Sequence, residues 1–255
     1  MGKVLTINRK IDFSVEMEDT EKTITRITMN GLKEDVETKI YPRGKALLEY
    51  YKFIVEFYKK YNIVGRVNNK DFNSVLRKYT IPLYVKEDSD YVISIGGSKG
   101  NVTRAALRRL KKGTSVKCSP VKIDLTKAIS CIISNIQGIE VVSGWFSNLG
   151  EQLQNALLQG KEVNENVDWK KFLKTVGSEL KNVEFKLAGD EYVKGYVIFS
   201  LSSRGFFHIK SAISDEKYIK IAERIVGVLE RENLIEYENV KEDNEPDEEN
   251  IYVDL

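Results

Sequence analysis

The feature that most constrains the fold is a change of hydrophobic period along the chain. Near the N-terminus Ile11, Phe13, Val15 and Met17 alternate with mostly polar residues, the period of a strand with one buried face. Near the other end Tyr218, Ile221, Ala222, Ile225 and Leu229 recur every three or four residues, the stripe of an amphipathic helix. A chain carrying both patterns must bury strands and helices together, so an α+β fold is expected.

The first thirty residues predict an N-terminal β-hairpin, turned by "EDTEK" and returning through "TITRITM". From Gly44 to Tyr61 the stripe Leu47, Leu48, Tyr51, Ile54, Val55 and Tyr58 reads as a helix, apolar nearly all round. "NNKDFNSVLRKY" reads as a second, short helix, and "IPLYVKEDSDYVISI" as a hairpin turning at "EDSD". Helix, short helix and hairpin is the order of a winged helix. In such a unit Arg77 and Lys78 would lie near a phosphate backbone.

"GGSKGNVTRAALRRLKKG" follows. Its glycines permit unusual backbone angles, and Asn101 or Thr103 can cap a helix that Gly113 ends. On that helix Thr103, Ala106, Leu107 and Leu110 share one face. Arg104, Arg108 and Lys111 share another, with Arg109 and Lys112 beside them. "GGSKGNVT" departs from the GxxxxGK[ST] phosphate loop, so nucleotide hydrolysis is not expected.

The second half is an expected α+β unit. Residues 128–160 hold no lysine or arginine and suit a core or a homo-oligomeric contact anchored by Trp145 and Phe146. Asp168 is the expected cap of a helix over 169–181. "VEFKL", "YVKGYVIFSL" and "GFFHIK" are the strands of an antiparallel meander, and Ser214 the cap of the last helix. The expected boundaries are a basic α+β half over 1–120, a second half over 121–235, and a tail over 236–255, disordered or loosely packed.

Charge divides along the same lines. The last twenty residues, "EYENVKEDNEPDEENIYVDL", hold nine carboxylates and one lysine, a net charge of −8 in a chain of +2 overall. The remaining 235 residues therefore carry +10. Between Asp90 and Asp124 there is no acid and there are eight cations: Lys99, Arg104, Arg108, Arg109, Lys111, Lys112, Lys117 and Lys122. A one-sign stretch of this kind fits a polyanion.

Single-stranded nucleic acid is held by cations on phosphates and by aromatic rings under the bases. "SSRGFFHIK" brings Arg204, Phe206 and Phe207 close together in sequence. Alternation sends one ring inward and leaves the other for a base. The expected function is therefore non-catalytic binding of single-stranded DNA or RNA with weak sequence specificity. The expected surface uses Lys99, Arg104, Arg108, Arg109, Lys111, Lys112, Arg204 and one of Phe206 or Phe207.

A tethered polyanion would compete for that surface at high effective concentration, or recruit a protein partner through Glu236 to Leu255. Over these twenty residues the tail resembles those of bacterial and phage single-stranded-DNA-binding proteins. A viral or mobile-element protein is expected.

Two alternatives remain. One is a structural subunit of a virion or large complex. The other is a metal-dependent nuclease using Glu184 and Lys186, whose spacing sets a carboxylate and an ammonium on one side of a strand. Asp168 or Asp190 would then supply a second carboxylate. A single histidine, His208, excludes multi-histidine metal sites, and no cofactor is expected. "MGKVLTINRK" has no apolar run and no segment is long enough to span a membrane, so a cytoplasmic location is expected.

Overall fold

The computed structural model describes residues 3–44, 47–96, 100–189 and 195–237. Lys99, Asp190 and the tail from Glu238 onward lie outside the described residues. In chain order the strands begin with β1 (Lys3–Phe13), β2 (Glu21–Met29), β3 (Leu32–Pro42), β4 (Tyr51–Val67), β5 (Lys70–Val85) and β6 (Tyr91–Gly96). There follow α1 (Gly100–Leu110), β7 (Val116–Ile123), α2 (Leu125–Asn135), β8 (Ile139–Ser147), β9 (Asn155–Gln159) and α3 (Val167–Lys174). The chain continues through β10 (Glu179–Ala188), β11 (Tyr196–Ser202), β12 (Phe206–Ile209), α4 (Asp215–Arg231) and β13 (Ile235–Tyr237). The fold is α+β, dominated by antiparallel sheet.

β1 is buried on both faces because it runs through the middle of that sheet. One edge pairs with β6 from Val4 to Arg9. It also pairs with β12 from Lys3 to Thr6 and with β7 from Asn8 to Phe13. The sheet runs β2-β3-β4-β5-β6-β1-β12-β11-β10-β8-β9, with β7 and β13 branching from β1. Leu5 and Ile7 point to the side covered by α2 and α4, within one apolar core. The opposite side of β6 carries Val92, which joins α1, β4 and β5 in a second core. There Ser94 donates to Thr103 of α1 at 3.2 Å. At the β1–β12 seam the buried Tyr218 hydroxyl of α4 accepts from the Leu5 N–H at 3.1 Å and donates to the Phe207 carbonyl at 2.6 Å. The expected boundary at 120/121 falls inside β7.

Several expectations are corrected. Residues 44–61 do not form a helix: β4 occupies most of that stretch and β5 follows directly. The stripe read as a helix apolar all round belongs to a strand root covered on both faces, where Phe53, Ile54 and Val55 are all buried. Asn68 and Asn69, read as opening a short helix, both have positive φ (49° and 61°). They form a two-residue turn, whose primed geometry matches strand twist. With two long strands in place of two helices, the winged-helix unit does not form.

β2 pairs with β3 rather than β1, through the turn at Asn30 and Gly31 (φ 49° and 80°). Asn-Gly is the strongest short hairpin signal. The hairpin expected over 81–95 is present as β5–β6, and the meander as β10–β11–β12. α3 is shorter than expected and is capped by Asn166, whose Oδ1 accepts from the Asp168 N–H at 2.8 Å. Ser214 caps α4 as expected. Among the described residues no helix is long and apolar enough to cross a membrane.

Candidate nucleic-acid interface

α1 forms where the acid-free stretch has one apolar stripe: Val102, Ala106, Leu107 and Leu110 are buried in the second core. Its first turn is held by an aromatic ring. A Cβ at Gly100 would lie 2.5 Å from Phe206, so glycine lets that ring cover the helix start. Arg104, one turn on, stacks its guanidinium 4.5 Å from the centre of the same ring. Its Nη2 donates to the Val121 carbonyl at 3.3 Å and to the Arg204 carbonyl. Arg204 is exposed, with its own guanidinium 5.6 Å from the Phe206 ring. The turn beneath is set by Ser202 Oγ, which accepts from the Arg204 and Phe206 N–H groups. Arg104, Arg204 and Phe206 thus converge at the junction of α1, β7 and β12, although one hundred residues separate the arginines.

The other candidates divide. Phe207 is wholly buried and packs on Phe199, with centroids 6.4 Å apart; it is core. Arg109 is buried too. Its Nη1 donates to the Tyr58 carbonyl at 2.8 Å and its guanidinium lies 4.6 Å from the Phe57 ring, tying α1 to β4. Arg108 and Lys112 are exposed and Lys111 is half-buried, at the C-terminal end of α1. That end lies one helix length from Phe206, so these cations and the ring are two patches joined by α1. Lys99 lies outside the described residues.

His208 is half-buried beside this junction. Burial, then the neighbouring Lys210 ammonium, holds its pKa below the usual histidine value, against a smaller opposing pull from Glu184. At neutral pH it adds no positive charge. Glu184 pairs with Lys210 at 2.8 Å, and Lys186 pairs with Glu140 at 2.9 Å. Each member of the expected nuclease pair is thus neutralised from a different side: Lys186 by Glu140 of the adjacent β8, Glu184 by Lys210 just past β12, two strands away. Asp168 is exposed on α3. Among the described residues no group of three histidines, cysteines or carboxylates is placed to hold a metal ion.

The described part of the tail is β13. It pairs with β7, matching Ile235 to Ile123, Glu236 to Lys122 and Tyr237 to Val121. Tyr237 is fastened by the Arg9 guanidinium, 3.8 Å from its ring centre, and by the Tyr91 hydroxyl at 3.3 Å. The polypeptide therefore enters its acidic segment beside Val121, whose carbonyl is bonded by Arg104. Sequence reading missed this docking because three residues are too few for a periodic signal. Comparison with models of known protein families and with curated protein sequences returned no match.

Proposed function

We propose that the protein is a non-catalytic nucleic-acid-binding protein that grips single strands at the α1–β12 junction and along α1, with the acidic tail competing for that surface. Support comes from the eight cations between Asp90 and Asp124 with no acid among them, and from the half-buried Phe206 ring flanked by two arginines. Arg108, Lys111 and Lys112 supply phosphate contacts, and each such contact releases counterions. The observation that carries the reading is the root of the tail. β13 fastens it to β7 at Val121, the residue whose carbonyl Arg104 holds. Beyond Tyr237 the chain carries a net −7, and a segment of that charge tethered at this point is held at high local concentration near the cations it neutralises.

The test is binding of labelled single-stranded DNA and RNA at two salt concentrations. It compares the full chain with a chain ending at Tyr237, which keeps β13. Truncation is expected to tighten binding, most strongly at low salt. Unchanged affinity, or no binding by either chain at low salt, refutes the proposal.

A second reading, a subunit of a larger assembly, is favoured by one feature. Trp145 and Leu157 face each other across the β8–β9 ladder and are 42% and 50% exposed, beside a β9 edge that pairs with no further strand among those described. Light scattering separates the two, since this reading requires a large oligomer without nucleic acid.

A further inference from the structure

β4 and β5 are much longer than the sheet that holds them. β3 pairs with β4 only from Phe53 to Glu56, and β6 with β5 only from Leu83 to Val85. Beyond those points residues 57–67 and 70–82 pair only with each other among the described strands. The result is a two-stranded ribbon. Eleven residues in its first strand, at about 3.3 Å each, span about 36 Å, and the five past Asn62 about 16 Å.

The ribbon is strongly basic. Residues 57–80 hold Lys59, Lys60, Arg66, Lys70, Arg77 and Lys78 against Asp71 alone, a net +5 and half the excess of the body. Lys59 and Arg77 stand directly opposite in the ladder. Like charges facing across a pair of strands destabilise it, and among the described residues neither has a carboxylate partner. At the root, Glu56 is shared by Lys39 at 3.0 Å and Lys78 at 3.1 Å. Arg77 stacks 5.3 Å from the Tyr79 ring and Arg66 pairs with Asp71 at 3.6 Å, but the ribbon keeps a net +5 that an outside anion would neutralise.

The ribbon is also held from its base to its midpoint, where Asn62 pairs with Ser74. Arg109 holds the Tyr58 carbonyl. On the other strand Asn30 clamps residues 73 and 74: its Oδ1 accepts from the Asn73 and Ser74 N–H groups at 2.9 and 3.2 Å, and its Nδ2 donates to the Ser74 carbonyl at 3.0 Å. Past the clamp Ile63, Val64 and Val67 are exposed.

We propose that the β4–β5 ribbon is an arm for duplex DNA. It lies in the major groove with Lys59, Arg66, Lys70 and Arg77 on flanking phosphates and the apolar tip against base edges. A B-form major groove, about 12 Å wide, admits a two-stranded ribbon. The A-form groove of duplex RNA is too deep and narrow for one. This is a second site, distinct from the single-strand surface at Phe206, and either can fail without the other.

The test measures binding of a 20-base-pair DNA duplex, the matching RNA duplex and a single strand as a function of salt. It uses the full chain and the variant Lys59→Gln/Arg66→Gln/Lys70→Gln/Arg77→Gln. The full chain binds duplex DNA in preference to duplex RNA. The variant loses at least about tenfold in duplex-DNA affinity and its log–log salt slope becomes shallower by about 3.6, about 0.9 for each of the four phosphate contacts. Its single-strand binding stays unchanged and its melting temperature does not fall, since the Lys59–Arg77 repulsion is removed. Should the fourfold variant fail to fold, Arg66→Gln/Lys70→Gln, at exposed positions flanking the turn, loses about half of that slope change. Duplex-DNA binding that survives either variant overturns the inference. So does equal affinity for duplex RNA, or absence of duplex binding at low salt. Loss of self-association with unchanged DNA affinity overturns it in favour of a subunit contact.

Discussion

Arg108 and Arg109 are adjacent in sequence and opposite in role, and replacing each with alanine separates them. Arg109 is 8% exposed. Its Nη1–H···O bond to Tyr58 is 2.8 Å long, and its guanidinium covers Phe57. A hydrogen bond from a charged donor contributes about 1.5–3 kcal/mol. A partly desolvated cation–π contact contributes about 0.5–2 kcal/mol. Removing the side chain also uncovers the Phe57 face, so Arg109→Ala is expected to cost about 3 kcal/mol in all. For a chain of this size that corresponds to a fall in melting temperature of about 6–12 °C. Arg108 is exposed, and Arg108→Ala is expected to change stability by less than about 1 kcal/mol. Under the proposed function the binding assay gives the reverse order. Arg108→Ala makes the salt slope for single strands shallower by about one, whereas Arg109→Ala, assayed well below its melting temperature, leaves the slope as it was. Urea denaturation and fluorescence anisotropy on the two variants suffice. Equal stability losses would refute the division of this helix into a structural and a binding arginine.

Two further outcomes follow from particular contacts. A Cβ on Gly144 would lie 2.1 Å from the buried Trp169 ring, so Gly144→Ala is expected to destabilise by about 1–3 kcal/mol through overpacking, with altered tryptophan fluorescence in the folded state. His208 has a folded pKa below its unfolded value of 6.5. The unfolded chain therefore takes up the proton first as pH falls. The stability that neutral His208 contributes is complete above 6.5 and is lost as pH drops through the folded value. His208→Gln should flatten that part of the stability–pH curve, and an unchanged curve would remove His208 as its source.

Local patterns in the sequence determine the α+β class, the Ser214 cap, the α1 stripe and the β10–β12 meander. Each depends on neighbours within about four residues, where periodicity and capping chemistry act. Charge segregation is equally local, since it is counted along the chain. Tertiary structure decides everything that depends on what covers a residue. Phe53, Ile54 and Val55 look helical because they are apolar on all sides, and only cores on both faces of the sheet make them strand. Phe206 and Phe207 differ only in which face of β12 they occupy. Arg104 and Arg204 meet across one hundred residues because β7 and β12 both adjoin β1. Arg109 is drawn inward because Tyr58 and Phe57 lie under its turn of α1, while Arg108 is exposed. Burial is a property of the partner as much as of the residue, and the partners of these side chains are distant in sequence.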